Sequence, residues 1–147
     1  MNDLRIERVD GDGPVLLDWQ QVHNLIIPTD PLSLDDVRER AGRNLLDVAY
    51  LDDVLVGCST VRPPRDGAAV ATVIARVLPA HRRRGFGAQL YAQGLAAARG
   101  LGAETIETVV LESNGDGLRF ALEHGFVEVE RYLLPGDSVR FIDLRLA

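Results

Sequence analysis

The chain has 147 residues, 46% hydrophobic and 26% charged, which excludes wholesale disorder and suits one globular domain over residues 1–147. Lys and Arg number 16 against 22 Asp and Glu, and the net charge of −6 excludes general attraction to nucleic acid or anionic lipid; an anionic ligand needs a local cluster of positive charge. The lone cysteine, Cys58, excludes an internal disulfide and a cysteine-rich metal site.

Leu4, Ile6 and Val9 alternate with charged residues and predict a strand over residues 3–9. The opening Met1-Asn2-Asp3-Leu4-Arg5 holds no apolar signal core, and no uncharged, mainly apolar stretch is long enough to span a bilayer; a soluble, cytoplasmic protein is expected. Gly11-Asp12-Gly13-Pro14 forms a turn, and a helix follows over 15–26 with Val15, Trp19, Val22 and Ile26 near one face. Pro28 and Pro31 end it. Ser33 caps a second helix, Asp36 completes an approximate capping box, and Gly42 serves as the stop. Strands over 48–51 and 54–61 flank an Asp52-Asp53 hairpin turn. After Pro63-Pro64-Arg65-Asp66-Gly67, residues 68–78 add a third strand rich in β-branched side chains. Residues 84–101 read as a helix, with Gly87, Leu90, Tyr91, Leu95 and Ala98 at helical spacing and Gly100 and Gly102 at its end. A strand over 105–111, a helix over 115–124 carrying Leu118, Ala121 and Leu122 on one face, and strands over 126–134 and 139–146 complete the chain. The order β-α-α-β-β-β-α-β-α-β-β implies a mixed α/β sheet. Residues 68–111 should make a parallel strand–helix–strand crossover in an otherwise mainly antiparallel sheet.

The segment from Val77 to Leu90 carries the chemistry. It leaves a strand and opens a helix, and Gly85 and Gly87 remove side chains where a ligand would approach the backbone. The first-turn amides of a helix lack internal partners and attract anions, aided by the helix dipole. Arg82, Arg83 and Arg84 stand beside them in an otherwise acidic chain, and guanidinium forks match phosphate oxygens. Together these features describe a pyrophosphate cradle. A Walker loop is excluded because no Gly-Lys-Ser/Thr follows, and a dinucleotide fingerprint lacks its third glycine, where Leu90 stands.

Arg82-x-x-Gly85-x-Gly87 after Val77-Leu78-Pro79 resembles the acyl-CoA-binding motif of the GNAT family of N-acetyltransferases. Asn114 with Gly125-Phe126 resembles the family's second CoA-contacting segment, and the element order is similar along nearly the whole chain. The resemblance implies a mixed, mainly antiparallel sheet with a splayed parallel strand pair and helices on both faces. It implies acetyl-CoA as acyl donor, without a metal, and direct transfer to a primary amine of a small or amino-acid-like acceptor. Val77 and Leu78 would pair with the pantetheine arm, and an amide near them would stabilise the oxyanion. Amides of Arg82, Arg83, Arg84, Gly85, Gly87 and Ala88 would hold the pyrophosphate, and Asn114 would touch the pantetheine or the opposite wall while also capping its helix.

The sequence departs from the family at the proton donor. The usual tyrosine, four residues before the glycine of Gly-Phe, is Ala121 here. Tyr132, His124 or water must then protonate the thiolate. Glu112 is the candidate base, against an exposed strand-end carboxylate as the plainer role. His23 and Trp19 read as structural, Cys58 as a small buried hydrophobe, and Arg76 as facing a polar surface or the cleft. A non-catalytic acyl-CoA sensor on the same fold is the alternative function. Nucleic-acid binding conflicts with the charge and the 5% aromatic content, and no membrane partner is expected. Residues 126–146 could pair two copies into a homodimer.

Overall fold

In the computed structural model, which describes residues 4–147, the alternating opening segment forms β1 (Arg5–Arg8). The strand expected over 3–9 thus starts at a position, residue 3, outside the described residues. Pro14 is the first residue of α1 (Pro14–Ile26), where its missing N–H costs nothing. Its buried residues are Leu16, Trp19, Val22 and His23, and Val15 and Ile26 of the expected face pack, partly buried, against the same core. Ser33 caps α2 (Leu34–Arg43) with a full capping box: Asp36 N–H donates to Ser33 Oγ and Ser33 N–H to the Asp36 carboxylate. Gly42 is not the stop. The helix runs through it to Arg43, and Asn44 turns extended.

The next strand is longer than expected: β2 (Leu45–Leu51) starts three residues before Val48. The interrupting Asp47 is buried there because Arg8, opposite it on β1, donates to its carboxylate at 2.6 Å. Asp52, at φ 55, turns the chain into β3 (Val54–Arg62), and β4 (Val70–Val77) follows. The helix expected from Arg84 begins only at Phe86, as α3 (Phe86–Gly100), because Arg83 (φ 63) and Gly85 (φ 82) are left-handed and cannot continue a right-handed turn. β5 (Thr105–Leu111), α4 (Gly115–Glu123), β6 (Phe126–Tyr132) and β7 (Phe141–Leu146) complete the chain. On α4 Ala121 is buried but Leu122 is 51% exposed, so the apolar face expected there is narrower.

The strands form one sheet in the order β1-β2-β3-β4-β5-β7-β6, antiparallel except for the parallel β4–β5 pair. One face buries Leu16, Trp19 and Val22 of α1 and Val37 of α2 against Leu46, Val48 and Cys58. The other packs Tyr91 and Ala98 of α3 and Ala121 of α4 on Val61, Val73, Ile142 and Leu144. Trp19, 1% exposed, also donates its indole N–H to Ser59 C=O, so its burial leaves no polar atom orphaned. α3 lies close to the sheet because Gly94 has no side chain; a Cβ there would stand 2.5 Å from Val73 Cγ1.

Candidate active site

The parallel ladder stops early. β4 and β5 pair only at Val70–Thr105, Ala71–Ile106 and Thr72–Glu107, and beyond these they part. Strand alternation shows which backbone groups face the opening. Leu78 N–H donates to Val56 C=O at 2.8 Å, so Leu78 and Arg76 turn their backbone toward β3, while Ala75 and Val77 turn theirs toward β5. Glu112 N–H likewise bonds Arg140 C=O across β7, which leaves Val109 and Leu111 facing β4. Leu78, expected from sequence to pair with the pantetheine arm, instead has its amide bonded to β3 and turned away from the opening. Ala75 and Val77 are the exposed β4 edge.

The loop after β4 is braced across the opening. Arg82 Nε donates to Val77 C=O at 2.9 Å, and its guanidinium reaches the Asp116 carboxylate of α4 at 3.1 Å. The first backbone bond of α3 runs from Gln89 N–H to Gly85 C=O, so the amides of Phe86, Gly87 and Ala88 begin the helix without an intrahelical acceptor. The left-handed turns at Arg83 and Gly85 belong to the backbone shapes that gather N–H groups into a concave anion site. At Gly87 an added Cβ would stand 3.2 Å from Phe120 Cε2 and 3.6 Å from Val77 Cγ2, so any side chain there would grow into the cleft wall.

A cavity of about 310 Å³ occupies this cleft. Of the expected binding residues, Val77, Arg82, Arg83, Gly85, Gly87, Ala88 and Asn114 line it; Leu78 and Arg84 do not. The Arg84 guanidinium instead lies 5.0 Å over the Phe86 ring. Asn114 caps α4, its Oδ1 accepting from Gly117 N–H at 3.0 Å, and lines both this cavity and a smaller one of about 30 Å³ deeper between β4 and β5. The His81 Nδ1 is buried without a hydrogen-bond partner among the described residues, in a residue on the cavity wall.

Of the candidate proton-transfer residues His124 lines the larger cavity, while Glu112 and Tyr132 stand outside both linings. Glu112 is exposed and pairs with Arg131 at 3.4 Å. The Tyr132 hydroxyl donates to Asp143 Oδ1 at 3.0 Å, and burial with this carboxylate pushes it up to about 12. Ala121 is buried in the core. His23 is stacked on Trp19 (centroids 5.3 Å apart), and burial lowers it to about 4, so it is neutral at physiological pH. Burial pushes the Cys58 thiol up to about 12, which removes nucleophilic character. Sequence reading missed Ala75, Asp116, Arg119 and Phe120 as cavity residues. Only Asp116 left a signal, as the acidic residue in the first turn of the helix capped by Asn114. Among the described residues no group of three or more His, Cys, Asp or Glu side chains could hold a metal, and no helix is long and apolar enough to cross a membrane.

The model of the acetyltransferase (GNAT) family matches residues 16–126. Among solved structures the chain is similar to a protein provisionally named a phosphinothricin N-acetyltransferase, with 20% identity, a TM-score of 0.77 and 98% of each chain covered. It is similar to a Bacillus subtilis acetyltransferase in complex with CoA, at 23% identity, TM-score 0.71 and 98% of each chain. A GNAT-family acetyltransferase from Elizabethkingia anophelis with acetyl-CoA bound aligns at 16% identity, TM-score 0.73 and 99% of each chain. No curated protein sequence matches the chain.

Proposed function

The chain belongs to the GNAT acetyltransferase family, and from that premise we propose that it is an acetyl-CoA-dependent N-acetyltransferase that moves an acetyl group directly to a primary amine of a small or amino-acid-like acceptor. The observation that carries this reading is the early end of the β4–β5 ladder beside the free first-turn amides of α3. It leaves an extended backbone edge for an amide-containing arm and an anion cradle at the arm's far end. The acetyl-CoA and CoA bound to proteins of the same fold support this choice of donor.

In this reading, Ala75 and Val77 pair with the arm as an added strand. Arg83, Gly85, Gly87 and Ala88 hold the pyrophosphate. Arg82 keeps the loop in shape through Val77 and Asp116 and adds charge; Arg84 and Leu78 act only through the loop's conformation. The Val77 N–H stabilises the charge that builds on the carbonyl oxygen. The neutral amine attacks the thioester carbon, the C–S bond breaks, and the amine proton leaves to a base. A thiolate with a pKa around 8.5 departs without strong acid assistance. Glu112 is the proposed base and Tyr132 the proposed acid, with His124 and water as other proton sources. Glu112→Gln should lower turnover at unchanged acetyl-CoA affinity, and an unaltered pH–rate profile would remove Glu112 from the mechanism.

Calorimetric titration of acetyl-CoA into the wild type and Gly87→Glu tests the cradle. Binding should be micromolar in the wild type and lost in the variant; equal affinity in both would sink the assignment. CoA release that depends on added amine then establishes transfer. The buried Ala121, where a tyrosine is usual, favours one second reading, an acyl-CoA sensor; tight binding with no release for any amine would select it. We also propose pairing of two copies along β6, the sheet's edge, where Val127 and Val129 are exposed. A monomeric mass in sedimentation at micromolar concentration would dismiss that.

A further inference from the structure

All 16 basic residues are arginines; the chain has no lysine. Several are matched to carboxylates, as Arg8 is to Asp47 and Arg145 to Glu107. Three that share one face of the molecule are not. Among the described residues, Arg40 of α2, Arg62 of β3 and Arg76 of β4 have no carboxylate within ion-pair distance and no side-chain hydrogen bond.

Strand register places them together. Arg76 stands opposite Cys58, and Arg62 opposite Thr72. Cys58 belongs to the core under α1 and α2, and positions two and four residues along a strand share its face. Both strand arginines therefore rise on the α1/α2 face, where Arg40 of α2 acts on each electrostatically. Their charges act on one another: burial holds Arg76 below the ordinary arginine range, and Arg40 adds repulsion to Arg76 and to Arg62. Solvent still reaches them, with Arg62 exposed and Arg76 half-buried. The nearest carboxylates act on them only from beyond ion-pair distance: Asp143, which accepts from Tyr132, on Arg62, and Asp36, in its capping box, on Arg40; His23 is uncharged. Three arginines on one side of the sheet, none with a carboxylate within ion-pair distance, leave guanidinium donors open to an anion.

Arg76 also lines both cavities between β4 and β5, next to Ala75. Through Arg76 this cationic face reaches the cleft beside the backbone edge on which transfer is proposed. Building on the acetyltransferase reading, we propose that the acceptor amine also bears a carboxylate, and that Arg76, Arg62 and Arg40 hold that carboxylate while the amine points to the β4 edge. Guanidinium forks match a carboxylate with two parallel hydrogen bonds. A site built this way rejects the corresponding carboxamide because its charges are left unpaired.

The test pairs each of the proteinogenic L-amino acids with its carboxamide as acceptor, with CoA release as the readout and acetyl-CoA affinity measured alongside. At least one amino acid should be acetylated about 100-fold more efficiently, in kcat/KM, than its carboxamide. Arg62→Gln and Arg76→Gln should each raise KM for that amino acid about tenfold or more and shrink the preference. Absence of acetyl-CoA binding in the wild type would refute the acetyltransferase reading itself. Acetyl-CoA binding with carboxamides accepted as readily as amino acids, or with no amino acid acetylated, would overturn the carboxylate site alone. Retained acetyl-CoA binding in Arg62→Gln shows that this variant is folded, so an unchanged KM in it would also count against the site.

Discussion

Acidification from pH 7 to pH 5 should weaken the fold through His23. The ring is 3% exposed and stacked on Trp19, so protonation would place a charge in the core. Burial is the largest cause of its lowered value; Arg76 and Arg40 push the same way, while the Asn24 hydrogen bond and Asp30 oppose without prevailing. The value falls from 6.5 to about 4. The unfolded chain therefore binds a proton where the folded chain does not, and stability falls as pH drops through 6.5, with no further loss from this group below about 4. At about 1.4 kcal/mol per pH unit, the whole gap corresponds to about 3.4 kcal/mol, of which about 2 kcal/mol is lost by pH 5. Urea unfolding followed by far-UV circular dichroism at pH 7 and pH 5 measures this in the wild type and in His23→Gln. The wild type should lose about 2 kcal/mol more than the variant over that interval. Equal losses, or a His23 ring that titrates near 6.5 by NMR, would refute the reasoning.

Gly94→Ala should destabilise by about 1–3 kcal/mol in urea unfolding, because its Cβ would stand 2.5 Å from Val73 Cγ1 and force α3 from the sheet. Gly100→Ala, in the same helix with nothing within 4 Å of the new Cβ, should be neutral or stabilising by up to about 1 kcal/mol. Arg82→Ala removes charge-assisted bonds to Val77 and Asp116, and acetyl-CoA affinity should fall about tenfold or more in calorimetry. Unchanged affinity would show that the loop holds its shape without the brace.

Much of the architecture was legible from local chemistry. The element order, the Ser33–Asp36 capping box and the Thr105–Leu111 strand follow from periodicity, caps and breakers, which act over a few residues. The anion cradle was legible for the same reason: Gly85, Gly87 and the helix start are neighbours in the chain. Element ends were less so. The strand expected from Val48 starts at Leu45, because Arg8, 39 residues from Asp47, pairs with that carboxylate inside the strand. Gly42 looked like a stop, yet a glycine in right-handed backbone ends nothing.

The tertiary structure alone decided which groups reach the site. Leu78 and Val77 are adjacent in sequence, but β3 takes the amide of the first and leaves that of the second at the opening, because hydrogen-bonding direction alternates along a strand. Arg82 and Arg84 are both loop arginines, but only Arg82 finds a carboxylate, Asp116, within reach across the cleft; Arg84 folds back over Phe86. Arg40, Arg62 and Arg76 carry no common motif. They share a side because strand register turns Arg62 and Arg76 to the face that α1 and α2 cover, a relation set by burial over the whole sheet and invisible to any short stretch of chain.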